Sequence, residues 1–183
     1  MPPPRRTDHP NGAAQNAAPP SASPAAVRMV EAVSAGIGLG ANLGDCAATL
    51  RQALQGIAAL PGTQLLRQSS LYRSAPVAAT GPDYVNAVAE ILTTLSPQAL
   101  LQALQNLEHA AGRERPYRNA PRTLDLDILW WGELQLHTPT LTVPHPRMHE
   151  RAFVLLPLAE IAPERVTPEQ LRAVQGQRVE RLG

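Results

Sequence analysis

The apolar residues between Val33 and Trp131 change period in an order that few folds can accommodate. Residues 33–39 alternate as a strand, and Gly36, Gly38 and Gly40 leave that backbone open to close approach. Asp45 is placed to cap a helix reaching to about residue 60, with Leu50, Leu54 and Ile57 on one face and Pro61-Gly62 ending it. Residues 64–73 read as a second strand and 84–94 as a third. Ser96-Pro97 starts another helix, because proline is preset for the first turn. Leu100, Leu101, Leu104 and Leu107 keep helical spacing until Gly112. Residues 123–131 form a fourth strand. The order β-α-β-β-α-β predicts an α+β fold with a ferredoxin-like βαββαβ core. An added hairpin at 134–143 and a C-terminal helix at 150–161 follow it.

The fourth strand is also the most informative segment chemically. Leu124, Leu126, Ile128 and Trp130 alternate with Asp125, Asp127, Leu129 and Trp131. Period two puts Asp125 and Asp127 on one face, about 7 Å apart. Two carboxylates side by side repel unless a cation neutralises them, and hard oxygen ligands at this spacing suit Mg²⁺ bridging to substrate phosphates. The same pattern also fits a solvent-facing strand whose aspartates pair with nearby arginines. Upstream, Arg113, Arg115, Arg118 and Arg122 crowd a loop with Pro116, Asn119 and Pro121. Guanidinium groups suit bidentate phosphate contacts and charge developing on a transferred group; a solvated basic loop is the plainer alternative.

Composition removes several function classes. All 16 basic residues are arginine, so no lysine is present for a Walker-type loop, a Schiff base or a general base. The net charge of +1 supplies no global field for nucleic acid or anionic membrane. Aromatic residues make up 3% of the chain, too few for an RNA-stacking surface. One cysteine, Cys46, rules out an internal disulfide and a cysteine-rich zinc module. The glycines near 36–44 miss the dinucleotide spacing, no nucleophile elbow occurs, and no apolar run reaches membrane-span length. Residues 1–30 are read as a disordered Pro/Ala-rich extension with too little apolar surface to order. Residues 31–165 are read as the functional domain and 166–183 as a weakly helical tail. The expected location is the cytoplasm.

Five ordered segments then carry a resemblance. They are Gly38-Leu-Gly-Ala-Asn-Leu-Gly44, Ser69-Ser-Leu-Tyr-Arg-Ser-Ala-Pro76, Asp83-Tyr-Val-Asn-Ala87, Pro121-Arg-Thr-Leu-Asp-Leu-Asp127 and Leu141-Thr-Val-Pro-His145. In order and spacing, from about Ser34 to Pro163, they resemble the 6-hydroxymethyl-7,8-dihydropterin pyrophosphokinase family.

The resemblance implies transfer of pyrophosphate from ATP, as co-substrate, to the pterin hydroxymethyl oxygen in folate biosynthesis, with release of AMP. It implies two Mg²⁺ ions held by Asp125 and Asp127, with Arg113, Arg122 and Asp127 acting in catalysis. Ser74, Ala75, Val77, Tyr84, Asn86 and Phe153 are expected to bind the pterin. Gln105, Glu108, Arg113, Arg115, Arg122, Ile128, Thr142, His145 and Arg151 are expected on the nucleotide side. Family precedent favours a monomer without nucleic-acid or membrane partners. Asn119-Ala120, Thr140 and Pro146 depart from frequent family residues and bear on nucleotide affinity and loop closure. The alternative is a pterin- or nucleotide-binding protein that has lost turnover.

Overall fold

The computed structural model describes residues 31–76, 81–112 and 122–182. The extension at 1–30, Val77, Arg113, Arg115 and the Asn119-Ala120 departure all lie outside these residues. The elements run β1 (Val33–Ala41), α1 (Cys46–Ala58), β2 (Thr63–Gln68), β3 (Tyr72–Ser74), β4 (Tyr84–Thr93), α2 (Pro97–Ala110) and β5 (Asp125–Trp131). After them come β6 (Leu136–His137), β7 (Thr142–Val143), α3 (Ala152–Ile161), α4 (Pro168–Ala173) and β8 (Val179–Arg181).

The sheet runs β5-β1-β4-β3-β8, with β2 also on β4, and its pairings are antiparallel. Both predicted helix starts form as capped termini: Ala48 N donates to Asp45 Oδ1 at 3.0 Å, and Ala99 N to Ser96 Oγ at 3.2 Å. Leu50, Leu54 and Ile57 of α1 and Leu100 and Leu104 of α2 pack on one sheet face, against Ile37, Leu39, Ile91 and Ile128. The opposite face carries Val88, Leu129 and Trp130 beneath Val154, Leu158 and Ile161 of α3. With helices on both faces, the central strands are buried through most of their length. A cleft opens where α3 begins.

Two local departures from the sequence expectation have physical causes. The strand expected over 64–73 divides at Ser69 into β2 and β3. There the Ser69 hydroxyl accepts the Val88 N–H at 3.0 Å in place of a backbone carbonyl, and Ser70 N turns away to the Glu160 carboxylate. In β5, Ile37 pairs with Ile128 but Gly36 with Trp130, so Leu129 is the extra residue of a bulge. The bulge turns Trp130 to the α3 face, away from Leu126 and Ile128. A Cβ on Gly36 would overlap the indole that lies there.

The hairpin of β6 and β7 and helix α3 form as expected. The last residues, which are uninformative as sequence, add more than a helix. Thr167 and Gln170 build a reciprocal capping box at the start of α4, and β8 pairs with β3 as an edge strand.

Candidate active site

Period two along β5 sends Asp125 and Asp127 to the α3 side of the sheet, where they help to line a cleft of about 180 Å³. Each faces a glycine on β1: Gly40 is the register partner of Asp125, and Gly38 that of Asp127. Those glycines place no side chain beside the carboxylates, which leaves room for a ligand against the strand. On the far side of β1, Gly40 is also the register partner of Asn86 on β4.

The amide of Asn86 is buried and oriented. Its Nδ2 donates to Ser74 Oγ at 2.9 Å and to Tyr72 O at 3.4 Å, turning Oδ1 toward Gly40. Ser74, Ala75, Tyr84 and Phe153 line the same end of the cleft. Phe153 enters from α3, and the Arg151 guanidinium lies 5.5 Å from its ring centroid. An oriented amide with two aromatic rings can receive a flat, hydrogen-bonding heterocycle.

The other end is charged. Arg122 pairs with Asp125, so among the described residues the ion-pair alternative for the aspartates is realised at one of the two. Burial and the neighbouring Asp125 push the Asp127 carboxyl up to about 6, against the opposing pull of Arg151 and Arg122. His145 lies beside it, with Nε2 4.0 Å from Asp127 Oδ2. Its Nδ1 accepts from Arg147 N at 3.1 Å, which assigns the ring proton of the neutral form to Nε2, facing Asp127. Burial, Arg151 and Arg147 lower the His145 pKa and favour that neutral form.

These donors fit a magnesium site. Two hard-oxygen carboxylates share a face at strand spacing, and their mutual repulsion is what a divalent cation relieves. Among the described residues no cluster of three or more His, Cys, Asp or Glu could cage a metal. A pair of carboxylates completed by phosphate oxygens and water is the arrangement Mg²⁺ commonly takes.

Of the nucleotide-side expectations, Arg122 and Arg151 line the cleft and His145 borders it through Asp127. Gln105, Glu108, Ile128 and Thr142 are not among its lining residues. Gln105 is exposed on α2, and Ile128 is buried on the opposite sheet face. Thr142 Oγ1 lies 3.1 Å from His137 Nδ1. Glu108 is buried on α2 and accepts the Leu126 N–H at 2.7 Å, holding β5 between its two aspartates.

Two residues escaped the sequence reading. Arg147 lines the cleft and its charge lowers the pKa of both His145 and Arg151; only its place two residues after His145 hinted at this. Asn42 is buried and clamps Arg122 in both directions. Arg122 N donates to Asn42 Oδ1 at 2.7 Å, and Asn42 N donates to Arg122 O at 3.0 Å. Its Nδ2 reaches Pro82 O at 3.4 Å. The asparagine stands inside the first resembling segment, a signal that a polar group was needed there.

Comparison with known proteins agrees with this geometry. Residues 36–163 match the family model described as 7,8-dihydro-6-hydroxymethylpterin-pyrophosphokinase (HPPK). The chain is 47% identical to the 2-amino-4-hydroxy-6-hydroxymethyldihydropteridine pyrophosphokinase of Haemophilus influenzae over 137 residues, covering 74% of this chain and 86% of that one. It is 46% identical over 153 residues to the protein of that name from Pseudomonas aeruginosa, covering 80% and 94%. In fold it is similar to wild-type Plasmodium falciparum HPPK-DHPS solved with pteroate, at a TM-score of 0.58 and 12% identity. That match covers 73% of this chain and 41% of the other. The chain belongs to the 7,8-dihydro-6-hydroxymethylpterin-pyrophosphokinase family.

Proposed function

We propose that this chain transfers the pyrophosphoryl group of ATP to the hydroxymethyl oxygen of 6-hydroxymethyl-7,8-dihydropterin, a step of folate biosynthesis. The observation that carries this reading is the row Asp125–Gly40–Asn86 across three adjacent strands. It sets a carboxylate pair and an oriented amide in one cleft, separated only by a glycine. Asn86 Oδ1 accepts from N–H groups of the pterin, and Tyr84 and Phe153 cover its faces. Two Mg²⁺ ions, when bound by Asp125 and Asp127, supply neutralisation of the triphosphate and polarisation of the β-phosphoryl group.

The remaining work falls to the chain's own groups. Arg122, Arg147 and Arg151 converge on the cleft and offset the charge that develops on the phosphoryl oxygens. Arg113 and Arg115, which precede Arg122 in the sequence, and Val77, which follows Pro76, belong to the same reading. The substrate oxygen bonds to the β-phosphorus as the bridge to the α-phosphate breaks, and its proton leaves toward Asp127. His145 presents Nε2–H toward that carboxylate from 4.0 Å, a separation longer than a direct hydrogen bond. Positioning of two bound substrates supplies most of the acceleration.

Gln105, Glu108, Ile128 and Thr142 are proposed to border the nucleotide beyond the cleft, around the α2–β5 side. The sheet order with α1 and α2 on one face supports reading the core as ferredoxin-like. The proposal further takes residues 1–30 as an extension and 31–165 as the catalytic domain, to which 166–183 add α4 and the edge strand β8, in a cytoplasmic monomer without nucleic-acid or membrane partners. Among the described residues, no helix is long and apolar enough to cross a membrane.

The test is incubation of the purified chain with Mg-ATP and the pterin, resolving AMP from ADP by chromatography. Pterin-dependent AMP is expected. ADP would make the reaction an ordinary kinase step, and saturable pterin binding without product would mark a binder that has lost turnover.

A further inference from the structure

The family match ends at residue 163, yet the chain after it touches both walls of the cleft. Helix α3 begins at Ala152, and its N-cap residue, Arg151, makes no side-chain capping bond. The first N–H groups of a helix need partners from outside it. Gln177 supplies one: its Oε1 accepts the Ala152 N–H at 2.8 Å, and its Nε2 donates to Glu150 O at 2.8 Å. Those two bonds flank Arg151 and hold it in extended backbone, φ −120° and ψ 113°. The segment so fixed is the one that sends Arg151 and Phe153 into the cleft.

From Gln177 the chain runs straight into the opposite wall. Ala75 N donates to Arg178 O at 3.5 Å, Val179 is the register partner of Ser74, and Leu182 N donates to Leu71 O at 2.8 Å. Arg181 closes the far end, donating to Ser70 Oγ at 2.7 Å and to Glu160 Oε1 on α3 at 3.3 Å. Residues 177–182 therefore join the wall that carries Ser74 and Ala75 to the wall that carries Arg151 and Phe153.

We infer that Gln177 is a positioning residue for substrate binding, setting Arg151 and Phe153 from outside the cleft through the peptide groups on either side of Arg151. Gln177 is itself exposed and does not line the cleft, so its effect on substrates passes through that segment. The inference rests on the pterin and ATP reading of the cleft.

Its test compares wild type with Gln177→Leu, which removes both hydrogen bonds, and Gln177→Glu, which keeps an acceptor for Ala152 N–H and loses the donor to Glu150 O. In steady-state AMP release well below the melting temperature, Gln177→Leu is expected to raise KM for the pterin and for MgATP roughly tenfold, with a smaller change in kcat. Gln177→Glu is expected to fall between it and wild type. A purely structural role would lower the melting temperature and leave both KM values unchanged, and that result overturns the inference. If Gln177→Leu does not fold, Gln177→Glu decides alone, with wild-type KM values counting against the inference. Absence of AMP formation by wild type would instead defeat the functional reading. In that event the Ala152 amide, followed by NMR hydrogen exchange, still tests Gln177, and exchange no faster in Gln177→Leu overturns its role.

Discussion

Asp125 and Asn86 are register partners of the same residue, Gly40, from opposite sides of β1. The group read as binding metal and the group read as binding pterin are thus set by backbone pairing in a sheet buried under three helices. A loop-borne site would gain no such fixed separation. The missing side chain at Gly40 keeps the space between them open, and a Cβ there would lie 3.4 Å from Asn86 Oδ1.

Replacing that glycine should separate binding from folding. Gly40→Val is expected to weaken pterin affinity roughly tenfold or more by displacing Asn86. Thermal unfolding should change little by comparison, because the position borders the cleft. Titration of pterin fluorescence beside a melting curve checks both; unchanged affinity would remove Gly40 from the slot.

The aspartates should carry rate. Asp125→Ala and Asp127→Ala are each expected to lower AMP release by about 10²–10³-fold at saturating Mg²⁺, the range for losing a group that stabilises transition-state charge. Asp125→Ala also deprives Arg122 of its ion-pair partner. Near wild-type turnover in either variant would end the metal assignment.

A pH dependence follows from Asp127. Its carboxyl is raised to about 6 from an ordinary value of 3.8, so the folded protein holds this proton more tightly than the unfolded chain does. The metal-free protein is therefore favoured below the unfolded value and loses that increment as pH rises through about 6. Mg²⁺ binding must displace the proton, so affinity should decline as pH falls below that value. Calorimetric titration of Mg²⁺ with a non-hydrolysable nucleotide at several pH values measures this. A profile for Asp127→Asn as steep as that of wild type would refute the assignment.

Asn42 should act on rate through Arg122. Asn42→Ala removes the acceptor of Arg122 N–H and leaves a half-buried donor without its partner. A stability loss of about 1–3 kcal/mol is expected, with kcat reduced because Arg122 is no longer held. Denaturant unfolding and AMP release report the two effects separately. Full activity in a destabilised variant would restrict Asn42 to folding.

Much of this protein is dictated by local rules that act within a few residues. Period two placed Asp125 and Asp127 on one face, and Asp45 and Ser96-Pro97 marked both helix starts, because backbone geometry and capping need no distant partner. The alternation of strands with α1 and α2 was readable for the same reason. Tertiary structure decided what depends on residues far apart in the chain. The Leu129 bulge turned Trp130 to the α3 face because Gly36 on β1 offers room for the indole. Ser69 split a predicted strand because its hydroxyl met Val88 on β4. Asn42 reached Arg122 across 80 positions, and Gln177 reached Ala152 across 25. A hydrogen bond between distant residues leaves no periodic trace in sequence, so such partners become visible only once the chain has folded.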